Sequence, residues 1–161
     1  MGIGLIKIKH VKLPVTDLRR SVSWYQSVLD LELHMEFVEQ GVLRGVSLLD
    51  REGGYEIALR DREVCAGTLD FTGFDVFALS ALSRARLEDL AARCDRLGVA
   101  HSGVHDFPIF GAGMDIPDPD GTVVRIVWID PNFPPFLGVD SDEDGVLRTY
   151  FSPRLTNETA V

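Results

Sequence analysis

The sequence predicts an α+β fold made from two successive βαβββ modules. Three observations point to it. Two helical stripes of apolar residues, one beginning at Leu18 and one at Leu87, are each preceded by one strand-like run and followed by three. Landmarks repeat at similar intervals: 40 positions separate His10 from the turn residue Asp50, and 42 separate Val76 from the turn residue Asp118. Neither half holds enough strands to close alone, so two copies are expected to share one domain.

In chain order, Leu5 to Val15 reads as the first strand and stops near Pro14. Asp17 is a natural N-cap, because its carboxylate can accept an orphan N–H of the first turn. Leu18, Val22, Tyr25 and Leu29 then recur at helical spacing. Asp30 stands where a left-handed cap is needed, a conformation aspartate tolerates less well than glycine. Glu32 to Val38, Val42 to Leu49 and Tyr55 to Leu59 read as three strands, separated by Gly41 and Gly53-Gly54.

Cys65 to Thr72 is a connector, and Gly73 to Leu79 opens the second module. Ser83 is the expected N-cap of the second helix, with Leu82 and Leu87 placed as a hydrophobic staple across it. Leu87, Leu90, Ala91, Cys94 and Leu97 form its apolar face, and Gly98 stops it. Val99 to Val104, Gly113 to Ile116 and Thr122 to Ile129 complete the module. One domain is expected over residues 1–130, with modules at about 5–60 and 73–130. Residues 131–161 are an extension. Its prolines 131, 134 and 135 and phenylalanines 133 and 136 suggest an extended, adhesive segment. Val146 to Phe151 reads as one more strand or an arm, and disorder is expected from Asn157 onward.

A net charge of −9 and a pI near 4.8 argue against nucleic-acid phosphate as a partner. No run of 18 apolar residues and no signal-peptide layout is present, so neither a membrane span nor export is expected, and the location read is cytoplasmic. Cys65 and Cys94 are expected to stay unpaired.

The most informative stretch is Met114 to Trp128. Asp118-Pro119-Asp120-Gly121 is a tight turn: proline presets φ, aspartate bonds its own backbone, and glycine accepts φ > 0. The strand after it, Thr122 to Trp128, is β-branched and apolar apart from Arg125. A charge in such a strand must be paired or must face a wet cavity. Arg125 therefore points either at a carboxylate, with Glu56 or Asp75 as candidates, or into a pocket.

A strand with His10, then Asp17 and a helix carrying Trp24-Tyr25, then the DPDG turn and a final strand: this order resembles the vicinal oxygen chelate superfamily of glyoxalases, bleomycin-resistance proteins and dioxygenases, over roughly Leu5 to Trp128. The resemblance implies a curved mixed-sheet cup with the helices outside. In metal-binding members, ligands come from the first and last strand of each module, where a divalent ion polarises two neighbouring substrate oxygens. His10 matches the first ligand position. The second falls in Tyr55 to Leu59, either at Glu56 or nearer Ala58. The third falls at Val76, or at Asp75 after a one-residue shift. The fourth is Arg125 in place of an acidic ligand, and a guanidinium cannot ligate a metal.

The expected function is therefore that of a metal-free, homodimeric small-molecule binder of the bleomycin-resistance type. A small, partly apolar ligand would sit in the cup, with His10, Glu56, Asp75 and Arg125 as polar handles. No cofactor is expected. The alternative is a metal-dependent lyase, isomerase or dioxygenase using His10 with Glu56 and Asp75; a metal-free enzyme with His10 as base ranks third. Phe107 to Phe110 is expected to form a lid, and His101 and His105 to be exposed loop residues.

Overall fold

The computed structural model describes residues 3, 7–52, 54–107 and 109–154. The first module runs β1 (Val11–Val15), α1 (Leu18–Leu29), β2 (Glu32–Glu39), β3 (Val42–Leu49) and β4 (Glu56–Asp61). The second runs β5 (Phe77–Ser80), α2 (Arg84–Leu97), β6 (His105–Phe107), β7 (Gly111–Pro117) and β8 (Val123–Ile129). The sheets have matching orders, β1-β4-β3-β2 and β5-β8-β7-β6. In each, the first strand lies parallel to the last and the other pairs are antiparallel. The fold is α+β with two open mixed sheets, as the repeat predicts.

Alternation along the strands decides which face is covered. Leu13, Val15, Val46, Leu48, Ile57 and Leu59 turn one face of the first sheet inward, and Met114, Ile116, Val124 and Ile126 do the same in the second; all are buried. With Tyr25, Val28, Leu87 and Cys94 they form one cluster spanning both modules. Full burial of each large side chain contributes about 1.5–3 kcal/mol. The helices cover these faces and touch each other. The opposite faces, here called the cup face, are left for chemistry.

Both helices are capped as expected. Asp17 accepts the N–H of Arg20, and Ser83 accepts that of Arg86. Asp30 takes the left-handed conformation at φ 59°, and Arg93 of α2 answers it, donating to the Ser27 carbonyl at 2.8 Å and to the Asp30 carboxylate at 3.2 Å. The staple does not form: Leu82 is 90% exposed. The fully buried face of α1 is Ser21, Tyr25 and Val28, rotated slightly from the expected stripe, with Leu18, Val22 and Leu29 only partly covered.

Three strand boundaries also move. The described part of the first strand begins at Val11, and Leu5 and Ile6 lie outside the described residues. Residues 73–76 precede β5 in a non-strand connection, where the N–H of Gly73 donates to the Gly121 carbonyl at φ +77°. Val99 to Val104 is not a strand. His101 Nδ1 accepts the Gly103 N–H, and Ser102 exchanges bonds with Asp115, so side chains take over the ladder there and β6 starts only at His105. His101 is thereby a tucked-in residue, 14% exposed and 3.1 Å from Asp95, rather than an exposed loop histidine; His105 is exposed, but on the edge strand.

The DPDG turn ties the modules together. Asp118 is buried, takes the N–H groups of Asp120 and Thr122, and accepts a 2.9 Å hydrogen bond from the Tyr25 hydroxyl of α1. Asp120 accepts from the backbone and hydroxyl of Thr16. Burial, with Asp118 beside it, pushes the Tyr25 hydroxyl well above its ordinary pKa; burial likewise raises Asp118.

Beyond β8, β9 (Gly138–Ser141) and β10 (Leu147–Tyr150) form an antiparallel hairpin. The acidic run Asp140 to Asp144 lies at its turn, where Asp142 accepts the N–H groups of Asp144 and Val146. The tail from Asn157 lies outside the described residues. Both cysteines are free thiols.

Candidate functional site

Arg125 lies on the cup face of β8, opposite Asp115 of β7 and Ala78 of β5. Its Nε and Nη2 donate to the two oxygens of Asp115, both at 2.9 Å, and its Nη1 stands 2.6 Å from Asp75. The fork on Asp115 is the bidentate geometry a guanidinium favours. Arg125 holds the Asp115 carboxyl below its ordinary pKa, and the hydrogen bonds raise the arginine in turn. Asp75 is thus a true partner, Glu56 is not, and Asp115 was missed. Counting outward from the turn identifies it, because Pro117 pairs with Val123, Ile116 with Val124 and Asp115 with Arg125. Two carboxylates face one guanidinium, leaving a net negative, half-exposed group.

The first module presents a second polar cluster. Glu56 is 10% exposed; it accepts a 2.8 Å hydrogen bond from Ser47 and pairs with Lys9, while His34 lies 3.7 Å away. Those donors, Lys9 first, hold its carboxyl down at about 2. His10 precedes β1, is exposed, and makes no side-chain hydrogen bond to a described residue. Met35 and Phe37 of β2 share this face through their pairing with Ser47 and Gly45, and both remain almost half exposed.

An aromatic cluster borders Arg125. Phe107 is on the cup face, paired with Gly111, and its ring covers Gly113, where a Cβ would meet Phe107 Cζ at 2.8 Å. Gly113 is two residues from Asp115, one step of about 7 Å along the strand. Phe110 packs 5.2 Å from Phe107 and 5.2 Å from Phe136, and Phe133 completes the group at 5.6 Å from Phe136. Phe107 and Phe110 thus bracket the β6–β7 connection, the Phe110 N–H on the Phe107 carbonyl and the Asp130 N–H on the Phe110 carbonyl.

A groove of about 800 Å³ lies elsewhere, between the end of α1, α2 and β5, floored by Val28, Leu79, Leu90 and Ile126. It opens on the helix side. Of its three arginines, 86, 93 and 96, Arg86 is turned to Asp89 and Arg93 to Asp30. The cup face carries the two polar clusters, around Arg125 and around Glu56, and is the stronger candidate.

The strand registers settle which residues correspond between modules. Val11 pairs with Ile57 as Phe77 pairs with Val124, so Ala58 occupies the place of Arg125 and Val76 that of His10. Glu56 is two residues off that place. Of the four positions, then, only His10 carries a side chain able to ligate. Among the described residues no group of three His, Cys, Asp or Glu side chains gathers around one point. Glu56 is committed to Lys9 and Ser47, Asp75 to Arg125. This donor set does not fit a divalent ion.

A family model described as Glyoxalase/Bleomycin resistance protein/Dioxygenase superfamily matches residues 7–126. Among solved structures, the chain is similar to a glyoxylase/bleomycin resistance protein/dioxygenase domain from Frankia sp. EAN1pec, at 24% identity and a TM-score of 0.67, covering 80% of this chain and 96% of that one. It is similar to the fosfomycin resistance protein FosX from Listeria monocytogenes, solved as a mutant with Mn(II) and dihydroxypropylphosphonic acid: 17% identity, TM-score 0.62, 81% and 95% covered. It is also similar to TnmS3, an antibiotic binding protein from Streptomyces sp. CB03234: 18% identity, TM-score 0.62, 80% and 100% covered. At these identities the likeness shows the fold. No curated protein matches the chain.

Proposed function

The chain belongs to the Glyoxalase/Bleomycin resistance protein/Dioxygenase superfamily, and from that premise we propose that it is a metal-free small-molecule-binding protein holding a partly apolar ligand on its cup face. The observation that carries this reading is Arg125. It stands at a ligand position of metal-binding members and is locked into Asp115 and Asp75. A guanidinium has no lone pair to give a metal, and this one already holds the two nearest carboxylates that could.

The polar handles of the site are His10, Glu56, Asp75 and Arg125, with Asp115 added. They differ in availability. His10 is free to meet a ligand, and Asp75 keeps acceptor capacity beyond its bond to Arg125, whereas Glu56 is already filled by Lys9 and Ser47. Because Arg125 faces two carboxylates, an anionic ligand would meet net negative charge. A neutral ligand offering a hydroxyl or amide N–H to Asp75 suits the group better. Met35, Phe37 and the phenylalanine cluster supply apolar contact.

The proposed working form is a homodimer in the cytoplasm. Among the described residues the outer edges of β1 and β5 carry no partner strand, and Met35 and Phe37 are exposed on one face of β2. A sedimentation measurement giving a monomer at all concentrations would remove this part. Elemental analysis after exposure to Ni, Mn and Zn tests the main reading. The expected result is no stoichiometric metal; one equivalent of any of them, lost in a His10→Ala variant, would return the chain to metal-dependent lyase, isomerase or dioxygenase chemistry.

A further inference from the structure

The family model ends at residue 126, short of Phe133 and Phe136. Those two rings nevertheless pack against Phe110, which packs against Phe107 on the cup face. The junction is pinned by backbone bonds as well. The N–H of Asp130 donates to the Phe110 carbonyl at 2.8 Å, and that of Phe133 to the Asp130 carbonyl at 3.0 Å. The β9–β10 hairpin then follows, closed by the N–H of Leu137 on the Tyr150 carbonyl at 2.9 Å.

All four rings are only half-buried. A plug serving the core alone would be covered, as Tyr25 and Met114 are. The floor beneath is unusual too. On β7, the cup-face positions 111 and 113 are both glycine, and neither has room for a side chain: a Cβ at Gly111 would meet the Trp128 carbonyl oxygen at 2.0 Å. Gly113 leaves the space that the Phe107 ring fills, two residues along β7 from Asp115, the partner of Arg125.

We infer that the residues after β8 supply one wall of the ligand site, with Phe133 and Phe136 joining Phe107 and Phe110 to select a flat aromatic ligand over a puckered aliphatic one of the same size. This rests on the cup-face binding reading. The selectivity follows from ring stacking, in which aromatic pairs gain beyond their buried area.

The probes are 1-naphthol and its saturated counterpart decahydro-1-naphthol, both neutral, titrated calorimetrically into the full chain. The wild type is expected to prefer 1-naphthol by about tenfold, the effect of one or two stacked rings. In Phe133→Leu/Phe136→Leu, which keeps apolar volume but removes both flat faces, that preference is expected to fall to about twofold or less through weaker naphthol binding. An unchanged preference in the variant, or equal binding of both probes by the wild type, overturns the inference while leaving the cup reading standing. Binding of neither probe overturns both. Should the double variant misfold, magnetisation transfer from naphthol protons to Phe133 and Phe136 in the wild type decides the matter. Transfer to Leu90 and Ile126 instead would place the probe in the helix-side groove and refute the proposal.

Discussion

Replacing Arg125 by methionine keeps the apolar stem of the side chain and deletes the guanidinium with its charge. Two carboxylates, Asp115 and Asp75, then face each other without their shared cation. Arg125 makes two 2.9 Å charge-assisted hydrogen bonds and one 2.6 Å ion pair. A fully buried group of this kind is worth about 3–5 kcal/mol when one partner is removed. Arg125 is 42% exposed and its partners about a third, so solvent screening cuts that figure. The expected loss at pH 7 is about 2 kcal/mol, or about 5 °C in Tm for a chain of this size.

The pH dependence gives the sharper test. The folded-state pKa of Asp115 lies below its unfolded value, so its contribution is full above the unfolded pKa and fades as pH falls through the folded one. The penalty of R125M is therefore expected to be full at pH 7 and to shrink toward pH 3. Urea unfolding of wild type, R125M, D115N and the double variant at both pH values measures it, with coupling between the two sites at pH 7 of about 1–2 kcal/mol. A penalty under about 0.5 kcal/mol, or one that does not change with pH, would mean that the triad is a surface pairing and that Arg125 is open to ligand chemistry.

Three further outcomes are expected. Tyr25→Phe removes the hydroxyl that joins α1 to the DPDG turn; Asp118 retains two backbone donors, so chemical denaturation should register a loss of about 1 kcal/mol, and no loss would show the tie to be idle. Lys9→Met should move the Glu56 carboxyl from about 2 up toward its ordinary 4.5 in a carbon-detected NMR titration; because the folded value is depressed, the lysine's contribution holds above about pH 4.5 and disappears toward pH 2. Gly113→Ala should displace the Phe107 ring and loosen the phenylalanine cluster with a modest stability cost, whereas Gly111→Ala, aimed at a carbonyl rather than a movable ring, should cost about 3 kcal/mol or more; equal, small losses in both would contradict the close approach at β7.

Much of the architecture was readable from local chemistry. The caps at Asp17 and Ser83 and the left-handed stops at Asp30 and Gly98 appear where the residue types require them. The misreadings are instructive. Val99 to Val104 has strand-like residues, yet His101 and Ser102 satisfy that backbone with side chains, an alternative that propensity does not register. Leu82 has the right spacing for a staple, but the path of the chain leaves it in solvent. At the site, Asp115 was within reach of counting from the turn, while the commitment of Glu56 to Lys9 crosses 47 positions and leaves no periodic trace.

By itself the sequence determined the repeated module and the order of its elements, because both are written in residue type and spacing along the chain. Only the tertiary structure decided that Arg125 closes on Asp115 and Asp75, that Tyr25 reaches Asp118, and that Phe133 and Phe136 come to pack on Phe110. Those contacts depend on strand register and on how one module docks against the other. Both are set by the packing of a shared core, in which residues far apart in the chain become neighbours.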